Sequence, residues 1–436
     1  MLETLFDDRS DEGVFRIDRR VYTDADVFER ELVTIFEGSW IYLAHESQIP
    51  NPGDYITTWM GRQPVIINRS PAGVLGGMVN VCSHRGARLV SRLQGNATTL
   101  VCPYHGWCYD TQGKCTKRKD ERTGWRRRPP SDSDLRRVPH VASYRGFIFG
   151  SLNPDACSVE EHLGESRAFI DLLADQSPRG LEVVPGVSSY VVDGNWKLQM
   201  ENGVDGYHVS VVHRNFATTM GRRNERNSAG EYSRTEVARF SGRVRTGGYD
   251  LGNGHSLLWA ERGNPEVAPI HEAAETLRPQ IGDVRWDWMC GRGRNLFLFP
   301  NLFLMDQSST QIRVVRPLSP ERTEVTVFCI APIGESRDAR KARLSKFRDF
   351  FLMSGLATAD DSVVLEETQT GAYARADRWN VYDRGLDFVT PGPDDDAKAL
   401  GIAPVSSSNR FDHEAIYHGQ YRQWWRLVGE QTSHAD

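Results

Sequence analysis

Four residues in the first quarter of the chain have the types and spacing of metal ligands. Cys82-Ser83-His84 is followed, after seventeen intervening residues, by Cys102-Pro103-Tyr104-His105. Each half-site pairs a thiolate with an imidazole. Two thiolates can hold one iron of a two-iron, two-sulfide cluster while two imidazoles hold the other, and replacing anionic sulfur by neutral nitrogen raises the cluster's potential. A zinc ion accepts the same donors. However, a zinc finger presents Cys-Cys and His-His half-sites, and no finger helix is legible here, so ligand type and spacing favour the cluster. Arg85-Gly86-Ala87 and Gly106-Trp107 flank the donors. Glycine lets backbone N–H groups approach cluster sulfur, and the indole can exclude water. Cys108 and Cys115 read as structural, the first in strand packing and the second beside a turn.

A second group is less self-evident. His208 and His213 stand five apart, which on an ideal α-helix separates them by about 140°, too far around to grip one ion. A π-bulge, common at functional sites, would bring them onto nearly one face. With one carboxylate they would form the facial triad of a mononuclear Fe(II) site that keeps positions open for dioxygen. Asp360, Asp361, Glu366 and Glu367 are all available, and spacing does not choose among them. Asp205, three residues before His208, is its near neighbour if the segment is helical. The ordinary readings are histidines of core or surface, a solvated helix acid, and an Asp361 that serves as N3 acid of a helix capped by Thr358.

Length and composition frame these sites. At 436 residues the chain has room for two or three domains and a sizeable core. Its 58 acidic and 53 basic residues leave a net charge of -5, so bulk electrostatics gives no case for nucleic acid. No uninterrupted apolar run approaches twenty residues, and the acidic start MLETLFDDRSDEG is unlike a secretion signal, which together point away from the membrane and to the cytoplasm. Seven cysteines, four of them crowded with two histidines, suit metal better than disulfides.

The elements that must position the donors follow from periodicity. Residues 23–36 read as a helix with Thr23 as N-cap and Val27, Phe28, Leu32 and Ile35 on one face. From Trp40 to about Asn153, short β-rich runs alternate with Gly, Asn and Pro turns, as in a small all-β domain. Ser158 and Glu161 form a capping box that opens a helix, so a boundary falls near residue 155. Beyond it, long strand-like runs mix with helices near 339–354 and 413–428, which predicts an α+β domain on an antiparallel sheet. Residues 220–254, rich in Gly, Arg and Ser, read as a long loop near a site entrance.

The motifs also match a family. Cys82-Ser83-His84-Arg85-Gly86, Cys102-Pro103-Tyr104-His105-Gly106-Trp107, Asn195-Trp196-Lys197 and Glu201-Asn202-Gly203-Val204-Asp205-Gly206-Tyr207-His208 resemble the large (α) subunits of Rieske non-haem iron aromatic-ring-hydroxylating dioxygenases. The stretches IFEGSWIYLAHESQIP, MGRQPVI, NWKLQMENGVDGYHVS, GHSLLW and LMDQ look most like the benzoate, toluate, halobenzoate and anthranilate 1,2-dioxygenase branch. The resemblance implies an α+β fold in which a small all-β Rieske domain, residues 40–155, is inserted in a catalytic domain, 1–39 and 156–436, of helix-grip type. It implies a 2Fe-2S cluster on Cys82, His84, Cys102 and His105, and Fe(II) on His208, His213 and Asp361. Asp205 would link His208 to the cluster ligand His105 of a neighbouring subunit, and Asn202 would lie near the iron without firmly ligating it.

The implied reaction is cis-dihydroxylation of an aromatic carboxylate by O2, with NADH-derived electrons delivered by a separate flavin-containing reductase. No glycine fingerprint for a dinucleotide occurs in this chain, in keeping with that division. A small β subunit in an α3β3 hexamer, or an α3 trimer, is the implied assembly. The runner-up is a monooxygenase or demethylase made of α subunits only. Arg214 stands directly after His213 where this branch usually carries an aromatic residue; Arg214, or Arg313 on the strand after Met305-Asp306-Gln307, is the expected partner of a substrate carboxylate, against a plain surface or interface role. The basic run Lys114 to Arg128 could steer an acidic redox partner or be a solvated loop.

Overall fold

A computed structural model describes residues 5–126, 132–226 and 243–429. The chain divides into two compact units, Leu32–His162 on one hand and Met1–Glu31 with Leu163–Asp436 on the other.

The smaller unit is built of antiparallel strands. Leu75–Val79, Gln63–Arg69, Asp54–Met60 and Gln94–Asn96 form one sheet in that order; Cys115–Lys117, Cys108–Asp110 and Thr99–Val101 form a second; His140–Tyr144, Phe147–Ser151 and Ile41–His45 form a third. Alternation of apolar and polar residues sends Tyr55, Ile66, Met78, Leu100, Tyr109 and Leu135 into one core, and Cys82, Cys102 and Trp107 are buried with them. The Ser158–Glu161 box forms as read: the Ser158 hydroxyl accepts from the Glu161 amide at 3.2 Å, and Glu161 accepts from the Ser158 amide at 2.9 Å. Of the basic run 114–128, residues 127 and 128 lie outside the described residues.

In the larger unit a ten-stranded sheet runs, in spatial order, Leu181–Val183, Arg322–Pro332, Thr310–Ser319, Leu302–Asp306, Arg292–Leu298, His255–Glu261, Thr246–Gly252, Ser406–Ser408 and Val389–Pro391, with Ser188–Val192 also paired to Arg322–Pro332. Helices Trp196–Asn202, Arg214–Arg226, Arg337–Phe351, Thr358–Ala372 and His418–Gly429 accompany it. Two of them begin the site. Asn195 caps Trp196–Asn202 by accepting from the Lys197 amide at 3.0 Å. One face of that helix is fastened from beneath by Lys197 and Glu31, 2.5 Å apart and both fully buried. Such a pair is costly to desolvate and is tolerated when its spare lone pairs are filled. The Trp196 and Trp424 indoles fill them, donating to Glu31 at 2.8 and 2.6 Å.

Three local expectations need correction. The N-cap near residue 23 is Asp24, whose carboxylate accepts from the amides of Asp26 and Val27 at 2.9 and 3.1 Å; Thr23 instead closes the preceding turn Arg19–Tyr22. A charged cap also gains from the helix dipole, which a hydroxyl cannot match. The 220–254 segment is not all loop: the helix Arg214–Arg226 covers its start and the strand Thr246–Gly252 its end, while residues 227–242 lie outside the described residues. The third correction concerns His208 and His213 and belongs to the site. Among the described residues, no helix is long and apolar enough to cross a membrane.

Candidate metal centres

The two Cys-x-His segments fold into near-identical loops. In the first, the Cys82 amide donates to Ala87 O at 2.8 Å and the Gly86 amide to Cys82 O at 3.0 Å; in the second, Cys102 donates to Trp107 O at 2.8 Å and Gly106 to Cys102 O at 3.0 Å. Each loop closes on a glycine in the left-handed region, Gly86 at φ 71° and Gly106 at φ 69°, where a side chain would be strained. This repetition makes the spacing intelligible: each tight loop buries its cysteine and leaves its histidine toward the rim. The His84 and His105 ring centroids are 4.7 Å apart, and His84 stacks on Trp107 at 4.7 Å with the planes 9° apart. His105 Nδ1 is buried without a hydrogen-bond partner. An unbonded imidazole nitrogen on the same loop as a buried thiol suits a metal ligand.

Zinc does not fit this cradle. Donors of one zinc ion, at 2.0–2.3 Å from it, would crowd together, yet among the described residues the group gathered within 4.8 Å is a different one, His208, His213 and Asp361. A two-iron cluster instead separates its thiolates from its imidazoles. The Tyr109 hydroxyl lies 3.2 Å from Cys82 Sγ and 3.0 Å from Ser83 Oγ, and Ser83 donates to Ser133 O at 2.6 Å.

The second centre is formed where helical geometry fails. No π-bulge joins the two histidines. His208 precedes the single turn Val209–Val212 and His213 follows it with φ -92° and ψ 16°, outside helical values, before Arg214–Arg226 begins. That break re-aims His213, and the two Nε2 atoms meet at 3.2 Å. Asp361 comes from the helix Thr358–Ala372, with its Oδ1 3.3 Å from His213 Nε2 and 3.5 Å from His208 Nε2. Thr358 is not its cap; Ala357 holds that position, and the Thr358 hydroxyl donates to Phe350 O at 3.0 Å. Glu366 accepts from the Asp193 amide and so faces elsewhere.

Asp205 is a neighbour of His208 through a loop rather than along a helix. Its Oδ1 accepts from the Tyr207 amide at 2.5 Å, and its Oδ2 lies 3.2 Å from His208 Nδ1. Gly203 allows this loop to leave the helix Trp196–Asn202, because a Cβ there would meet the Phe303 ring at 2.2 Å. Burial works against a charged His208, but the Asp205 carboxylate outweighs it and raises the imidazole pKa above its ordinary value. Asp361 is pushed up to about 6 by burial, partly offset by His208, Arg313 and the Asn202 amide that hydrogen-bonds it. Three first-row metal donors, two nitrogen and one oxygen, thus converge with their fourth side open to a cleft.

Two family descriptions match the chain, "Rieske [2Fe-2S] domain" over residues 39–144 and "Ring hydroxylating alpha subunit (catalytic domain)" over residues 182–391. The 2-halobenzoate 1,2-dioxygenase large subunit of Burkholderia cepacia is 46% identical, over 94% of this chain and 89% of its own length. The toluate 1,2-dioxygenase α subunit of Pseudomonas putida is 45% identical, over 97% and 93%. The chain belongs to the Rieske ring-hydroxylating dioxygenase α subunits. Its fold is also close to that of naphthalene 1,2-dioxygenase from Rhodococcus sp. bound to indole, with a TM-score of 0.82 at 26% identity over 95% of this chain and 94% of that one. The cofactors of this dioxygenase subunit are therefore a 2Fe-2S cluster and a non-haem iron, and its cradles fit both.

The dioxygenase cleft separates the two arginines singled out from sequence. Arg214 is exposed on its helix and does not line the cleft. Arg313 does line it, together with Asn202, His208, His213, Asn295 and Asp361. Its side chain is 4% exposed and its Nε is sealed without a hydrogen-bond partner; among the described residues it forms no ion pair, and the Phe303 ring is 5.9 Å away. Sequence reasoning missed Asn295 and gave Gln307 no role, because their polarity carries no signal until the fold places them at the cleft, Asn295 on the strand Arg292–Leu298 and Gln307 just past the strand Leu302–Asp306. Tyr109 was missed too, although a hydroxyl-bearing ring two residues beyond Gly106-Trp107 was a usable hint.

Proposed function

We propose that this chain is the oxygenase large subunit of a multicomponent enzyme that cis-dihydroxylates a benzoate-like aromatic carboxylate. The observation that carries the reading is Arg313: a guanidinium buried in the cleft near His208, His213 and Asp361 that makes no ion pair among the described residues and whose Nε has no hydrogen-bond partner. An always-charged group in that position is costly unless an anionic ligand arrives. A carboxylate can take it in a bidentate fork, which fixes the ring's orientation as well as its affinity. The relatives' names, 2-halobenzoate, toluate and anthranilate dioxygenases, describe substrates of that class.

In this reading Cys82, His84, Cys102 and His105 hold the cluster, and His208, His213 and Asp361 hold the mononuclear iron. The bound metals supply electron storage and the activation of dioxygen. Asp205 fixes the ring orientation of His208 by accepting at Nδ1 and reaches the His105 of a neighbouring copy, a short path between the centres. Asn202 holds the Asp361 carboxylate through its amide, and Asn295 and Gln307 orient the ring beside Arg313. Supporting partners are a small β subunit and a reductase that carries flavin and takes electrons from NADH. An α3β3 hexamer in the cytoplasm is the assembly we infer, because the relatives are named as large or α subunits.

The test is turnover of benzoate and of a neutral arene under labelled dioxygen, in wild type and in Arg313→Gln. Both labelled atoms should enter one diol of benzoate, and the variant should form far less of that product at limiting benzoate while keeping any turnover of the neutral arene. A product with a single labelled oxygen would favour a monooxygenase, and equal benzoate turnover in the variant would remove Arg313 from the account.

A further inference from the structure

A file of oxidisable rings runs away from the proposed iron site, and the dihydroxylation reaction uses none of them. Tyr417 lies beside Asp205, whose Oδ2 is 3.2 Å from His208 Nδ1. From Tyr417 the ring centroids step 5.8 Å to Tyr382, 5.6 Å to Tyr421, 6.4 Å to Trp424 and 6.0 Å to Trp425. The first four rings are buried and Trp425 is half-buried. Residues 417, 421, 424 and 425 follow one another along the helix His418–Gly429 and the turn before it, so helical spacing keeps them in near contact.

An aromatic core would have that spacing too. What an ordinary core does not require is the set of carboxylates on this one. Tyr382 donates to Glu201 at 3.0 Å, and Tyr421 donates to the same carboxylate; Trp424 donates to Glu31 at 2.6 Å. A phenol or indole loses an electron far more readily when its proton leaves in the same event, since the radical cation is a strong acid. Tyr382 and Tyr421 therefore share Glu201 as proton acceptor, and Trp424 has Glu31. The Lys197 ammonium, 5.9 Å from the Trp424 ring, disfavours a cation radical there, and it is Glu31, by taking the indole proton, that leaves a neutral radical instead.

We propose that this file drains oxidising equivalents from the iron site when dioxygen is activated with no arene in the cleft. The proposal rests on the iron assignment above. In each step one electron moves from a ring toward the iron site by way of Tyr417, and the proton of Tyr382 or Tyr421 passes to Glu201 and that of Trp424 to Glu31. When the next ring fills the hole, the electron and proton return, so only Trp425 is left oxidised, its proton lost to water. A small thiol reduces it there with one electron and one proton, and two thiyl radicals couple to a disulfide. The oxidant at the iron site is reduced by the one electron received. Arene bound in the cleft consumes the oxidant first, which keeps the file silent during productive turnover.

The test uses the complete enzyme, reduced and iron-loaded, exposed to dioxygen without arene and then frozen or digested. Electron paramagnetic resonance should show an organic radical, and mass spectrometry should find oxygen added mainly at Trp425 and Trp424. Trp425→Phe should move the damage inward to Trp424 while benzoate turnover is retained. Tyr421→Phe should abolish the tryptophan products and raise oxidation of His208 and His213 several-fold. An iron-replete wild type that consumes dioxygen yet shows no organic radical, with the same damage map in Tyr421→Phe, overturns the file and leaves the iron assignment standing. A wild type whose His208–His213–Asp361 site takes up no iron overturns both.

Discussion

The proposed cluster ligands all come from one short stretch, Cys82 to His105, whereas the proposed iron ligands come from positions 208 and 213, on either side of one helical turn, and 361 on a distant helix. The first set is made by repeating a single loop, with the same backbone hydrogen bonds and a glycine at the same place. The second is made by interrupting a helix and bringing a distant one against it. The settings differ in the same direction. His84 is exposed and His105 half-buried at a rim, while His213 and Asp361 are buried and their partner His208 is nearly so. A rim suits a centre that exchanges electrons with other molecules, and a pit suits one that must exclude water while a substrate reacts.

The largest effect expected from this difference comes from removing an iron ligand. His213→Ala should abolish diol formation and lower the iron count by one per chain, with acid-labile sulfide and the visible spectrum of the cluster unchanged. If the two centres were one interdependent unit, the spectrum would be lost too.

Next in size is the proposed link between the centres. Asp205→Asn removes a charge beside His208 Nδ1, and losing such an outer contact typically costs about 10- to 100-fold in activity or metal affinity. The check is turnover measured at full iron occupancy, which separates slow delivery from weak binding. Arg313→Gln should then raise KM for benzoate by about 10- to 150-fold, the equivalent of about 1.5–3 kcal/mol for a hydrogen bond to a charged group. Arg214→Ala, on the exposed helix, should leave KM where it was.

Legibility in the sequence follows the same contrast. A motif whose donors are local announces itself by spacing, so the Cys-x-His and Cys-x-x-His pairs and the β-rich stretch around them were readable without any structure. The triad was not. Five-residue spacing argued against a shared ion, the break at His213 that resolves the conflict is not encoded by a Gly or Pro, and Asp361 was one acid among four until the family pattern chose it. The strands were legible from alternation, including Thr310–Ser319 and Arg322–Pro332. The cap at Asp24 was misassigned to Thr23 because both are good cap residues side by side, and only the end of the preceding turn decides between them.

Smaller effects refine the picture of each centre's surroundings. Glu201 is held among Tyr22, Tyr382 and Tyr421, and desolvation there pushes its pKa up to about 6. A folded-state value above the ordinary carboxylate one means that the group's stabilising contribution is complete below about pH 4.5 and lost as pH rises through about 6. Thermal denaturation should therefore show a stability decline across that window, on the order of 2 kcal/mol, and Glu201→Gln should flatten it. Smallest is Tyr109→Phe. Loss of a hydrogen bond to Cys82 Sγ, about 1 kcal/mol, should lower the cluster potential by some tens of millivolts, measurable by redox titration with diol yield intact.

The most direct measurement of the whole account is a single turnover without the reductase. The complete enzyme is reduced, freed of excess reductant, and mixed with benzoate and labelled dioxygen while the cluster spectrum is followed. The cluster should be oxidised as diol appears, the diol should carry both labelled atoms, and in Asp361→Ala the cluster should stay reduced with no diol formed. Diol that forms while the cluster remains reduced, or in Asp361→Ala at the wild-type yield, would contradict that expectation.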